Sequence, residues 1–279
     1  MKNESELLKQ KEEYMKAIRE FCLYNDLFFR TCLKDNMEAT ERILRVILGM
    51  PTLKVLEQNI QFDAVNPTGH GSRFDVLAKD DTGKLYNLEI ENGPYDKVPK
   101  RARYYSSLMD TGILLGKGEE YDSLRESYVI FILGDGIIGA DRAVYRYSRM
   151  EEESGQLLGD GTHIVFVNGS YIGEDEIGDL IRDMRQSDPG RIKDPVLRKT
   201  VADHKIEKED EKMFDIVAKA RQDGIDEGRE EGLEQGRVEG LEQSKQEIAK
   251  KLLSVGDMTV EKIADITGLT VEKVSELAG

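Results

Sequence analysis

Three acidic residues, Asp75, Glu89 and Glu91, stand in two short runs that both alternate with a period of two. Phe74, Val76 and Ala78 alternate with Arg73, Asp75 and Leu77, and Tyr86, Leu88 and Ile90 alternate with Asn87, Glu89 and Glu91. The intervening Asp80-Asp81-Thr82-Gly83-Lys84 is rich in turn formers. As a five-residue hairpin loop it sets Asp75 opposite Glu89 and Arg73 opposite Glu91. One face of the hairpin is then apolar and packs inward. The other brings the Asp75 and Glu89 carboxylates to roughly 5 Å at Cβ, a spacing that like charges resist unless a cation lies between them. A hard, oxygen-seeking ion such as Mg²⁺ meets that demand. The plainer reading of the same pattern is a set of solvated acids on an exposed sheet face.

The surrounding elements would hold this hairpin in a mixed layer. Residues 5–20 read as a charged helix, and 25–49 as a helical pair or one interrupted helix ending near Gly49-Met-Pro51. Strands are predicted at 60–65, 73–79, 85–91, 127–133, 142–148 and 162–168, with helices at 96–110 and 174–185 and another from Asp194 into Lys205. Helices flanking a small mixed sheet make an α/β or α+β core. The composition then shifts, dividing the chain into a domain over 1–205, a charged Gly-Glu repeat over 206–245 and a small helical module over 246–279.

Charge is the main argument against a nucleic-acid substrate, because phosphate contacts need Lys and Arg and the net charge is -15. Its distribution answers much of that objection. Residues 1–150 carry 24 acidic and 22 basic side chains, 151–205 carry 12 and 7, and 206–279 carry 19 and 11. The half with the acidic hairpin is thus nearly neutral. Just after the hairpin come Lys97, Lys100, Arg101 and Arg103, and helical spacing gathers several of them on one side, as a phosphate-facing ridge or as an ordinary solvated face. No apolar run approaches the roughly 18 residues of a membrane span and the start of the chain is polar, so a cytoplasmic protein is expected. Cys22 and Cys32 read as buried thiols, and the three histidines lack zinc-ligand spacing.

In the tail, Gly224, Gly228, Gly232, Gly236 and Gly240 recur every four residues. On a helix they form a slowly drifting stripe, at a cost of up to about 1 kcal/mol each relative to Ala. The segment reads either as a solvated, partly helical linker or as a helix that offsets this cost by pairing in a homo-oligomer. Beyond it, 246–253 is amphipathic, and 258–277 reads as two short helices capped by Thr259 and Thr270, with Ile263, Ile266, Leu269, Val274 and Leu277 as a miniature core. The second helix offers only Lys273 against Glu272 and Glu276, which suits a protein contact better than base reading.

A wider set of residues resembles one family. Asn25-Asp-Leu-Phe-Phe-Arg30, Asp75, Glu89, Lys100-Arg-Ala-Arg-Tyr-Tyr105, Leu115-Gly-Lys-Gly-Glu-Glu-Tyr121 and Tyr128-Val-Ile-Phe-Ile-Leu133, in that order, resemble the transposase-like, recombination-promoting branch of the PD-(D/E)XK nuclease superfamily. The resemblance implies a restriction-endonuclease-like core that hydrolyses DNA phosphodiester bonds. It also implies that Asp75, Glu89 and the backbone carbonyl of Ile90 hold Mg²⁺, with Mn²⁺ as a substitute. Glu91 is a departure, since the superfamily usually has Lys there and this branch often Gln. Lys would orient the attacking water and stabilise developing negative charge. Glu91 could instead be a further metal ligand, a general base, or the ion-pair partner of Arg73. The departure keeps open a rival reading, a catalytically weak or inactive nuclease fold acting in DNA-bound assembly or protein interaction.

Overall fold

The computed structural model describes residues 16, 18–64, 72–111, 118, 120–134, 138, 142–205, 240, 243–254 and 256–278. Most of the helix predicted at 5–20, the Leu115–Lys117 part of the family pattern and the glycines from Gly224 to Gly236 lie outside them. The chain divides into two units, Met1–Asp215 and Ile216–Gly279.

In the first unit, Asp80 organises the hairpin turn. Its carboxylate accepts the N–H groups of Thr82 and Lys84, both at 2.9 Å, and the hydroxyls of Thr82 at 2.8 Å and Tyr86 at 2.7 Å. Burial opposes the charge on Asp80, yet these bonds outweigh it and hold the carboxyl below its ordinary range. Gly83 takes the positive φ of 83° that the loop needs. The strands on either side, β2 (Ser72–Asp80) and β3 (Leu85–Glu91), pair antiparallel as Lys79↔Leu85, Ala78↔Tyr86, Leu77↔Asn87 and Val76↔Leu88.

The hairpin belongs to a six-stranded mixed sheet of order β1-β2-β3-β4-β6-β5. β1 (Val55–Ala64) pairs antiparallel with β2, and starts five residues before the predicted strand. β3, β4 (Ser127–Leu133) and β6 (Thr162–Asn168) run parallel, and β5 (Val144–Tyr147) closes the far edge antiparallel to β6. At the turn end of the sheet, Tyr86 stacks on Tyr128 at 5.0 Å and Tyr128 on His163 at 4.3 Å between ring centroids.

Among the described residues, the helices that flank the sheet include α1 (Asp26–Leu33), α2 (Met37–Leu48), α3 (Val98–Met109), α4 (Glu176–Met184) and α5 (Pro195–Asp203). α3 connects β3 to its parallel neighbour β4 and packs Val98, Ala102, Tyr105, Leu108 and Met109 on one sheet face, against Val129, Phe131 and Leu133. On the opposite face, Arg146 of β5 donates to the Ile47 carbonyl at the end of α2 at 2.8 Å. Arg42 of α2 joins Glu176 of α4 at 2.8 Å and Asp194, the cap of α5, at 2.6 Å. With layers on both sides, β4 is buried throughout and β3 in all but its last residue. The exposed acidic sheet face is thereby excluded, since Asp75 is 7% and Glu89 2% accessible.

The second unit is helical over most of its described residues. Residues 243–254 form a helix, followed by α6 (Val260–Thr267) and α7 (Val271–Ala278), which turn about Gly268 at φ 65°. Thr259 and Thr270 cap them by accepting the N–H groups of Lys262 and Lys273. Ala249, Ile263, Ala264, Leu269 and Val274 form the core. Ile266, expected in it, is 55% exposed, because the buried stripe of α6 passes through Ile263 and Thr267, one turn apart, and Ile266 falls beside it. Among the described residues no helix is long and apolar enough to cross a membrane.

Candidate active site

The site forms where the hairpin ladder stops. Beyond the last pair, Val76↔Leu88, the Asp75 N–H donates to Glu89 Oε1 at 3.0 Å and the Ile90 N–H donates to Asp75 Oδ2 at 3.4 Å. The Asp75 carboxylate thus meets the Ile90 N–H that a backbone carbonyl would meet in a continuing ladder. The Glu91 carbonyl accepts from Gly134 on the β4 side at 2.8 Å. Alternation along a strand therefore turns the N–H and C=O of Ile90 toward β2, into the gap where the pairing has ended.

Two arginines flank the acids from different helices. The Asn25 side chain caps α1 by accepting the Phe28 N–H at 2.9 Å, and this start sets Asp26 and Arg30 one turn apart. Arg30 binds Asp26 Oδ2 through Nη2 at 2.8 Å and Asp75 Oδ1 through Nη1 at 3.2 Å. Arg101 arrives from α3. Its guanidinium pairs with Glu91 Oε2 through Nη1, while Nη2 donates to the Tyr105 hydroxyl at 3.1 Å and lies 3.6 Å from Glu89 Oε2. It also lies over the Tyr105 and Phe131 rings, at 5.4 and 5.3 Å from their centroids. The other Glu91 oxygen, Oε1, accepts the Gly93 N–H at 2.6 Å. Asp26, Arg30, Asp75, Glu89, Ile90, Glu91 and Arg101, with Arg73, Asn92 and Gly93, line one pocket of about 420 Å³.

Burial dominates the electrostatics. It pushes the Asp75 carboxyl up to about 7, reinforced by the nearby Asp26 charge and opposed by Arg30. Burial likewise raises Glu89 well above the ordinary carboxylate range, with the Asp75 charge adding to it. Asp26 is raised too, again by burial. Four carboxylates and three arginines thus line the pocket, and burial pushes three of the four carboxyls, Asp26, Asp75 and Glu89, toward holding a proton in the absence of a further cation.

That donor set fits a hard divalent cation. Asp75, Glu89 and the Ile90 carbonyl supply oxygen only, and Asp26 Oδ1 is buried in the same pocket without a hydrogen-bond partner. Among the described residues, no three His, Cys, Asp or Glu side chains by themselves make a metal cluster.

The basic residues after the hairpin separate. Lys97, Lys100 and Arg103 are exposed, whereas Arg101 turns into the pocket. Asp26 and Arg30 carry no site role in the sequence reading, although both stand in the α1 segment quoted for the family. Their signal is the Asn25 cap and the i,i+4 spacing, but nothing local says that α1 meets Asp75, 45 residues on. The Arg101–Glu91 pairing joins a helix to a strand across the intervening turn, and strand register alone cannot reveal it.

A family model described as a PD-(D/E)XK nuclease family transposase matches residues 52–177, which include β1 to β6, α3 and therefore Asp75, Glu89, Glu91 and Arg101. No curated protein and no solved structure gives a significant match to the chain.

Proposed function

We propose that this protein is a metal-dependent DNA endonuclease that hydrolyses phosphodiester bonds, in a transposase-like, recombination-promoting setting, a reading supported by the match of residues 52–177 to the model of a PD-(D/E)XK nuclease family transposase. The observation that carries the reading is the pair of buried carboxylates, Asp75 and Glu89, joined through the Asp75 N–H in an all-oxygen pocket flanked by Arg30 and Arg101.

Asp75, Glu89 and the Ile90 carbonyl would hold the cation, Mg²⁺ or in its place Mn²⁺. Bound there, such an ion lowers the pKa of a water and polarises a phosphoryl oxygen. The chain's own residues do the rest. Asp75 and Glu89 are kept apart from bulk water by their burial, which strengthens every charge interaction in the pocket. Arg30 fixes the Asp75 carboxylate from α1. Lys97, the N-cap of α3, and Lys100 and Arg103 on that helix are exposed and would contact flanking phosphates, which position a duplex without reading its sequence.

The decisive experiment incubates the purified chain with supercoiled plasmid in Mg²⁺, then in EDTA, beside Asp75→Ala. Nicking that needs the metal and vanishes in the variant is the expected result. A folded wild-type protein that cleaves in neither Mg²⁺ nor Mn²⁺ would replace this reading with the second one, a nuclease fold acting in DNA-bound assembly through the Ile216–Gly279 unit. Glu91 at the Lys position motivates that alternative.

A further inference from the structure

We propose that Arg101 supplies the positive charge that the usual Lys at position 91 would bring to the scissile phosphate, and that Glu91 is a positioning residue which holds Arg101 there. The inference rests on the endonuclease reading above. It assigns Glu91 neither a metal-ligand nor a general-base role.

Both Glu91 carboxylate oxygens are already engaged within the chain. One carboxylate oxygen takes the Gly93 N–H at 2.6 Å, and the other takes Arg101 Nη1. Its neighbour Gly93 makes this arrangement feasible, because a Cβ at that position would stand 2.7 Å from Glu91 Oε1. The carboxylate is thus tied to Gly93 and to Arg101 of α3 while it lines the same pocket as Asp75.

Arg101, by contrast, is held firmly and remains partly open. Glu91 and the Tyr105 hydroxyl fix its two terminal nitrogens, and the Tyr105 and Phe131 rings lie beneath the guanidinium plane. A guanidinium carries five N–H donors in a fixed fork. Its side chain keeps 40% accessibility, so part of that fork faces the pocket beside Glu89, 3.6 Å away. A cation poised next to an acidic metal-ligating pair can stabilise the charge that develops on a phosphoryl oxygen as the leaving oxygen departs. Reaching in from α3, Arg101 delivers this charge from a different element than a side chain at position 91 would.

The test uses the full chain, plasmid nicking in Mg²⁺ and calorimetric titration with Mn²⁺. Arg101→Ala should lower the nicking rate about 100-fold to 1000-fold, and Arg101→Lys should recover at least tenfold of that loss. Mn²⁺ should bind Arg101→Ala at least as tightly as wild type, since a competing positive charge is gone. Glu91→Gln keeps one acceptor oxygen, for the Gly93 N–H or for Arg101 but not for both, and should lose about tenfold in rate with its Mn²⁺ affinity unchanged. Weakened Mn²⁺ binding in Glu91→Gln would make Glu91 a ligand and overturn the assignment, as would wild-type rates in Arg101→Ala. Failure of the wild-type protein to nick at all would instead reject the endonuclease reading, and the role of Arg101 in cleavage with it.

Discussion

Arg30 and Asp75, brought together from a helix and a strand 45 residues apart, form a 3.2 Å ion pair at the floor of the acidic pocket. Both side chains are largely buried, at 19% and 10% accessibility, so the pair is screened little by solvent. Arg30→Met should leave Asp75 facing Asp26 without a cation. The expected cost is about 1–3 kcal/mol in urea unfolding at neutral pH, the range for losing a charged hydrogen-bond partner from a buried group. A variant as stable as wild type would mean that the pair contributes nothing to folding.

The pH dependence of stability follows from the raised Asp75 carboxyl. Its folded pKa of about 7 lies above the unfolded value of 3.8, so the folded state holds the proton more tightly. That contribution is fully present below about pH 4 and is lost as pH rises toward and past 7. Asp75→Asn, which has no proton to lose, should therefore gain on wild type with rising pH. An advantage of about 1–3 kcal/mol at pH 8 is expected in EDTA, read from urea midpoints at pH 4 and pH 8. Parallel pH profiles for the two proteins would contradict the assignment.

Metal binding should reverse that penalty. In saturating Mn²⁺ at pH 8 the wild-type chain should gain about 2.7 kcal/mol for a hundredfold excess over its dissociation constant. Asp75→Asn and Glu89→Gln should show no comparable gain. Equal stabilisation of all three proteins would place the ion elsewhere.

Gly93→Ala offers a change that removes no charge. The new methyl group would meet Glu91 Oε1, which is the far end of a flexible side chain and can move aside, so the fold should lose less than about 1 kcal/mol. The nicking rate should nevertheless fall by tenfold or more as Glu91 releases Arg101. Unaltered kinetics in this variant would show that the Glu91 conformation is immaterial.

Truncation separates the two units. A chain ending at Asp215 keeps every residue of the pocket and should nick plasmid as the full chain does. If the C-terminal unit drives self-association, light scattering should give a larger species for the full chain only. Identical masses per chain for both proteins would remove the tail from any assembly role.

Much of this was legible in the sequence where a local rule applies. Two alternating runs around five turn-forming residues determine which positions face each other, and Asp75 and Glu89 follow from that count alone. Thr259 and Thr270 were readable as caps for the same reason, because a cap acts within its own turn. What escaped depends on contacts between distant segments. Arg101 reads as one of four similar basic residues until α3 is laid on the sheet, when Val98, Ala102 and Tyr105 point at the core and Arg101 is left at its edge beside Glu89. Asp26 and Arg30 needed the docking of α1. The burial of both sheet faces was obscured because Asn87 and Glu89 are polar residues in a strand buried up to its last residue.

The hairpin is built differently at its two ends. Around Asp80 the turn is fastened by four hydrogen bonds and by the Tyr86–Tyr128–His163 stack. At the other end the ladder gives out after Val76↔Leu88, and side chains replace backbone in the pairing. At that end β2 stays laced to β1 through Asp63↔Arg73 and β3 to β4 through Glu91↔Leu133, so the two strands diverge like the arms of a fork, each braced from outside. Amide exchange should accordingly be slow at Tyr86, inside the ladder, and faster at Asp75 and Ile90, whose N–H groups meet side-chain oxygens at the cleft.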